Sequence, residues 1–257
     1  MKSTPKSRKP APYLKLALKI SAGLAILFLV TLAFAFLQYR SLCTQPRASC
    51  LAHRQAGCSI DGDYSLRLGG RLIDATCDMK TDGGGWTLVA NYLHRAVAKD
   101  PAHHITLVDR LPVQNGDDLG SDEFRTPAWG HASNALLQLL PTMEMRFKCK
   151  ASSHSRQVDF SVFGKTCLDY FRTGQGSCIA QPQLRAEFQR NLRALPDHTG
   201  QLQSSNIGYA NRGDNAIVDF PFYIDWKAAW NIGGTRWHCD DFDEKALNST
   251  FHQVWVR

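Results

Sequence analysis

The chain has 257 residues, of which 44% are hydrophobic and 21% charged, which suits one sizeable domain with an appendage and is too apolar for a disordered chain. Its formal charge of +7 comes entirely from residues 1–42, which carry seven Lys or Arg and no acid; beyond them, 23 basic residues face 23 acidic ones. The basic balance is therefore not the mark of a nucleic-acid-binding surface, and no basic stripe or aromatic platform for one is present.

From Ile20 to Leu37 eighteen residues carry no charge, and as a helix they reach about 27 Å against a hydrocarbon core of about 30 Å. Lys2, Lys6, Arg8, Lys9, Lys15 and Lys19 precede this run, and the first acid is Asp61. The positive-inside rule then keeps residues 1–19 cytoplasmic and sends the chain beyond the apolar run to the periplasm or the cell exterior. A cleaved signal peptide is the competing reading, with Ala33-Phe34-Ala35 as its site, and would yield a secreted protein. The long basic region, the long apolar run and the large residues Phe36 and Leu37 favour an uncleaved signal-anchor. Cys43 comes after Arg40-Ser41-Leu42, a poor context for lipid attachment. Residues 38–47, polar with one proline, read as a stalk, and 48–257 as the exported domain.

Tyr64, Leu66 and Leu68 alternate up to Gly69-Gly70, and Leu72 to Cys77 returns, a hairpin pattern. Gly83-Gly84-Gly85 is a turn leading into a half-buried strand in which Trp86, Leu88 and Ala90 alternate with Thr87, Val89 and Asn91. Residues 93–130 lack periodicity and read as a long loop, a place where function often resides. A helix spans Ser133 to Leu140 and stops at Pro141. Met143, Met145, Phe147 and Cys149 alternate with Glu144, Arg146 and Lys148 as a strand, and Val158, Phe160 and Val162 continue the pattern. Leu184, Phe188, Leu192 and Leu195 sit at helical spacing before Pro196, as a core-facing stripe. Strands are predicted again at 216–224 and 252–257. The class is α+β, with a twisted, mainly antiparallel sheet and long loops.

All eight cysteines (43, 50, 58, 77, 149, 167, 178 and 239) lie beyond the apolar run. No Cys-x-x-Cys pair exists and the spacings are irregular, so disulfides are favoured over zinc. Eight cysteines allow 105 connectivities, and the residues alone leave them open.

The run Cys77-Asp78-Met79, with Gly83-Gly84-Gly85-Trp86-Thr87 after it, resembles the segment near the start of fibrinogen C-terminal-like domains, which intelectins also carry. That resemblance implies a recognition module rather than an enzyme, and a Cys50–Cys77 disulfide closing the first hairpin. It covers roughly residues 48–92 and 230–257. The other six cysteines are left without assigned partners.

A second informative stretch runs from Gly233 to Glu244. Asp240, Asp241, Asp243 and Glu244 place four carboxylates within five residues, and such a cluster is relieved by solvent or by a hard cation with oxygen ligands. An EF-hand is excluded, because its spaced acids and central glycine are missing. The resemblance favours calcium: family members carry calcium and a ligand pocket in C-terminal loops, and intelectin-like members use a His-Cys pair beside acidic residues to bind a vicinal diol through the metal. His238-Cys239 looks like that pair, with Asp240, Asp241, Asp243 and Glu244 as further metal ligands. Trp237 and Trp230 are candidates for stacking on a sugar, and His252 is a candidate to face the same segment. The Asp-x-Asn-Asp calcium loop of many fibrinogen-like domains is absent, with Gly213-Asp214-Asn215 and Asp219 only a faint echo.

Other motifs weigh less. Arg212-Gly213-Asp214 reads as a turn, Asn248-Ser249-Thr250 is a glycosylation acceptor only in a host that glycosylates exported proteins, and His103-His104 beside Asp100 reads as a solvated loop. No nucleophile–base set such as Gly-x-Ser-x-Gly or His-Glu-x-x-His occurs, and no catalytic residue is assigned. The expected function is a membrane-anchored recognition module for a glycan or another surface ligand, calcium-dependent, and compatible with a homo-oligomer. The alternatives are a metal-independent protein-interaction module and, behind it, an exported glycosyltransferase using Asp241 and Asp243.

Overall fold

The computed structural model describes residues 12–94, 107–113, 129–153, 155–179, 182–199, 209–218, 222–224, 228–232, 238–239 and 249–257. The chain divides into two units, Met1–Thr44 and Gln45–Arg257. The first contains helix α1 (Pro12–Cys43). Within it, the 21 residues Gly23–Cys43 are long and apolar enough to cross a membrane, and none is buried against protein. The helix continues past Leu37 through six residues expected in the stalk, because no glycine or proline interrupts it before Pro46.

The second unit begins with α2 (Cys50–Gln55), capped by Ser49 Oγ accepting the Ala52 N–H at 3.1 Å. Strands β1 (Gly62–Leu68), β2 (Arg71–Asp78), β3 (Trp86–His94), β4 (Leu107–Val108) and β5 (Gly130–Ala132) come after it. Next are α3 (Asn134–Leu139), β6 (Met145–Ala151), β7 (Gln157–Val162), α4 (Lys165–Thr173), β8 (Ser177–Cys178), α5 (Pro182–Arg190) and β9 (Leu192–Ala194). The last elements are β10 (Tyr209–Ala210), β11 (Phe222–Ile224), β12 (Ala228–Asn231), β13 (His238–Cys239) and β14 (Thr250–Val256). The main sheet has the order β1-β2-β3-β14-β6-β7-β9, antiparallel throughout, with β5 joined to β3 and β4 parallel to β5. β8 and β10 form a small pair, and β11-β12-β13 a separate three-stranded sheet. The mixed α+β class with an antiparallel sheet is as the sequence predicts.

Two glycines at positive φ, Gly69 (+55°) and Gly70 (+82°), close the β1–β2 hairpin, the conformation that two-residue hairpin turns require. The triple-glycine run does something different. A Cβ on Gly84 would sit 2.0 Å from the Met79 carbonyl oxygen, and one on Gly85 2.9 Å from Leu51 Cα. Glycine here lets the turn lie directly against the backbone it crosses. Arg257 then stacks its guanidinium 4.1 Å over the Trp86 ring.

The β3 strand departs from the half-buried reading: Trp86, Thr87, Leu88, Val89, Ala90 and Asn91 are all buried. Trp255 pairs with Leu88 while its neighbour Val254 pairs with Ala90, a bulge that puts one extra β3 residue opposite β14. Trp86, Leu88, Leu195 and Trp255 form one cluster. Phe147 packs against Phe160 and Phe171, at 5.5 and 5.3 Å between ring centroids, as part of another. Arg146, on what reads as a polar face, is also buried. It bonds Asp159 through Nε (2.7 Å) and Nη2 (2.5 Å), and Asp78 through Nη1 at 2.7 Å.

The helix predicted through Leu195 ends at Arg190. Leu192–Ala194 instead pairs with β7, because a strand at this sheet margin satisfies backbone groups that one more helical turn would leave on the surface. α4 is an element the sequence reading does not contain; its buried Cys167, Leu168, Tyr170 and Phe171 carry the i, i+3, i+4 signature of one face. Residues 213–217 are a 3-10 turn, not strand, and Phe222 opens β11. Three disulfides are Cys50–Cys77, Cys149–Cys239 and Cys167–Cys178, and no cysteine is free.

Candidate functional site

The site suggested by sequence is built on a short stem. β12 and β13 pair Trp230 with Cys239 and Asn231 with His238. Three contacts fasten this stem to the main sheet. The Cys149–Cys239 disulfide joins it to β6. The Trp230 indole N–H donates to the Lys148 carbonyl at 3.3 Å, and the His252 Nε2–H on β14 donates to the His238 carbonyl at 2.7 Å.

Trp230 is fully buried, edge-on to Phe147 and to His252, each at 5.3 Å between centroids. This corrects the sugar-stacking expectation: neither face of that indole is open to a ligand, and the residue is the core anchor of the stem. His238 is 3% exposed; its backbone belongs to β13 and its carbonyl to the bond with His252. His252 does reach the stem, as expected, and does so from the centre of the main sheet.

Trp237, Asp240, Asp241, Asp243 and Glu244 lie outside the described residues. Their boundaries are nevertheless informative. On one side Cys239 is held by β6; on the other, Ser249 donates its N–H to Ser152 Oγ at 3.1 Å and accepts the Ser152 N–H at 2.8 Å. Thr250 then pairs with Ala151 at the end of β6. Cys239 and Ser249, which flank residues 240–248 in the chain, are thus both held at the same end of β6. Among the described residues, no three His, Cys, Asp or Glu side chains come together to hold a metal. The donor chemistry of 240–244 is that of a hard, oxygen-ligated cation.

The faint echo at 213–215 is a structural device. Asp214 Oδ1 accepts the Asn134 N–H at 2.6 Å, at the start of α3, beside Ser133 Oγ accepting the Leu136 N–H. The Asp214 carboxylate of the Arg212-Gly213-Asp214 triplet is therefore committed inside the domain. Nearby, Tyr92 Oη lies 2.6 Å from His131 Nδ1, and burial lowers His131 to about 4 despite the Asp214 charge. Asp219 and the His103-His104 pair lie outside the described residues.

Sequence reasoning also misses a four-centre ion cluster. Arg193 Nη2 bonds Asp82 and Glu144 at 2.6 Å each, and Arg257 Nη2 bonds the same two carboxylates at 2.9 and 2.8 Å. These residues are distant in sequence, so no local pattern announces them.

No family model and no curated protein matches the chain. Among solved structures, the chain is similar to the fibrinogen-like globe domain of human ANGPTL6, with 16% identity over 83% of this chain and 96% of that one, at a TM-score of 0.40. It is similar to the corresponding domain of human ANGPTL2, with 15% identity over 81% and 98%, at 0.36. A lamprey fibrin D-dimer in complex with the peptide Gly-His-Arg-Pro-amide matches with 12% identity over 95% and 88%, at 0.31. These neighbours are fibrinogen-like domains.

Proposed function

We propose that the chain is an exported recognition module, anchored in a membrane by residues 20–37 and binding a glycan or other surface ligand through calcium held at 238–244. One observation carries this reading: an acidic segment whose two ends are fixed to β6, by Cys239 on one side and by Ser249 and Thr250 on the other. Fixing both ends lowers the ordering cost of assembling several carboxylates around one ion. Asp240, Asp241, Asp243 and Glu244 would supply the oxygens and His238 a flanking group. Bound calcium would supply open coordination positions for ligand hydroxyl or carboxylate oxygens. Trp237 is the remaining aromatic candidate for the ligand's apolar face.

The test is calorimetric titration of calcium into the oxidised full chain in detergent, stripped of metal. We expect saturable binding that vanishes in an Asp240→Ala/Asp241→Ala/Asp243→Ala variant, and glycan-array binding that is lost in chelator. A folded chain that takes up no calcium would overturn the metal-organised pocket and leave metal-independent protein recognition, the second reading.

A further inference from the structure

Away from residues 230–244, an open cleft of about 470 Å³ lies where the glycine turn, the start of β6 and the ends of β7 and β9 meet. That volume is in the range of ligand sites. Leu51, Met143 and Phe163 line it, with Met143 77% and Phe163 42% exposed. Its polar side is Glu144, Arg193 and Arg257, with Asp82 bonded to both guanidinium groups. A third guanidinium, Arg54, donates through Nε to the Gly83 carbonyl at 3.1 Å. Arg54 thus adds a third guanidinium beside the two carboxylates that Arg193 and Arg257 bond, and these five side chains carry one excess positive charge.

Among the described residues, no further strand lies beyond β9 at the neighbouring sheet margin. Phe163 donates its N–H to the Asn191 carbonyl, and Leu195 donates its own to the Asp159 carbonyl. With Ser161 opposite Arg193, alternation along an antiparallel pair turns the N–H and C=O of Leu192 and Ala194 away from β7. Arg193 and Ala194 are exposed, and no strand among the described residues pairs with this edge.

We infer that the cleft and the free edge of β9 together dock an extended acidic peptide segment of a protein partner. The edge reads peptide amides, which neither a glycan nor a lipid offers in a row. The peptide adds a strand to β9, seats an apolar side chain between Met143 and Phe163, and presents a carboxylate to Arg193 and Arg54. This inference is independent of the calcium segment.

The test uses the full chain in detergent, in EDTA so that the calcium reading cannot influence it. The probe is an array of acetylated pentapeptide amides of pattern Thr-x-Thr-z-Thr, where x is each apolar residue in turn and z is Asp, Glu, Gln, Lys or Arg. Peptides with Asp or Glu at z should bind about tenfold more tightly than their Lys counterparts, as expected for one complementary charge pair. Ala194→Pro, which removes an outward N–H at an edge position that accepts proline, and Phe163→Asp should each weaken binding about fivefold or more. Equal binding of Glu and Lys peptides, indifference to Ala194→Pro in a folded variant, or no binding at all would overturn the proposal.

Discussion

Arg146 shows how a single residue constrains the domain. It is 1% exposed and held by Asp159 and Asp78, so Arg146→Ala leaves two carboxylates without their counter-ion. We expect a loss of about 3–5 kcal/mol, measured by urea unfolding under oxidising conditions. Gly84→Ala should also destabilise strongly, by more than about 3 kcal/mol, because the new Cβ meets the Met79 carbonyl rather than a movable side chain. Histidine sets the pH response. Burial lowers His131 to about 4, and it also lowers His53 and His198. Between about pH 6.5 and 4 the unfolded chain binds protons that the folded one refuses, so stability falls as pH falls, by up to roughly 3 kcal/mol for His131. His131→Gln should remove that part of the slope in urea midpoints taken from pH 8 to 4. For Asp78 and Glu144, burial opposes ionisation but hydrogen bonds and arginine outweigh it; Asp82 is lowered chiefly by the Arg193 hydrogen bond. Their stabilisation is present above the ordinary carboxylate range and is lost only at still lower pH, as pH falls through their depressed folded values.

At the scale of elements, the disulfides divide the work by loop length. The chain-entropy model gives roughly 5 kcal/mol for a closed loop of about 90 residues, about 4 for 27 and about 3 for 11; the observed separations are 90 for Cys149–Cys239, 27 for Cys50–Cys77 and 11 for Cys167–Cys178. Replacing Cys149 and Cys239 together with alanine should therefore lower the urea midpoint most, and should also release one fixed end of residues 240–248. Legibility in the sequence depends on the range of the interaction. The β1–β2 hairpin is readable because its turn is local: two adjacent glycines dictate it. The helix α3 is readable from Ser133 and Pro141, both within a turn of its ends. The α5–β9 break is hidden, since Leu192 and Leu195 keep helical spacing while the β7 edge, thirty residues earlier in the chain, claims the segment as strand. Arg146 passes for a solvent-facing residue for the same reason, because Asp78 and Asp159 arrive from other strands. At the candidate site, the acidic run and the His-Cys pair are visible, but the burial of Trp230 depends on Phe147 and His252 and is not.

At the scale of the whole molecule, the two units can be tested separately. If residues 20–37 are an uncleaved anchor, the chain stays with membranes through alkaline carbonate extraction, and deleting those residues releases it to the soluble fraction. Recovery of a shortened wild-type chain in the soluble fraction would instead support cleavage near Ala33-Phe34-Ala35. The second unit, Gln45–Arg257, carries a further condition in its topology. β14, the last strand in chain order among the described residues, lies between β3 and β6, with bonds to both. Until residues 250–256 emerge, β3 and β6 each present an unpaired edge, and the sheet exists as two incomplete halves. Completion of this sheet therefore waits for residues 250–256. A polypeptide cut short before β14 presents itself to proteases and chaperones as an open sheet, so the position of one strand doubles as a check that synthesis has passed residue 256.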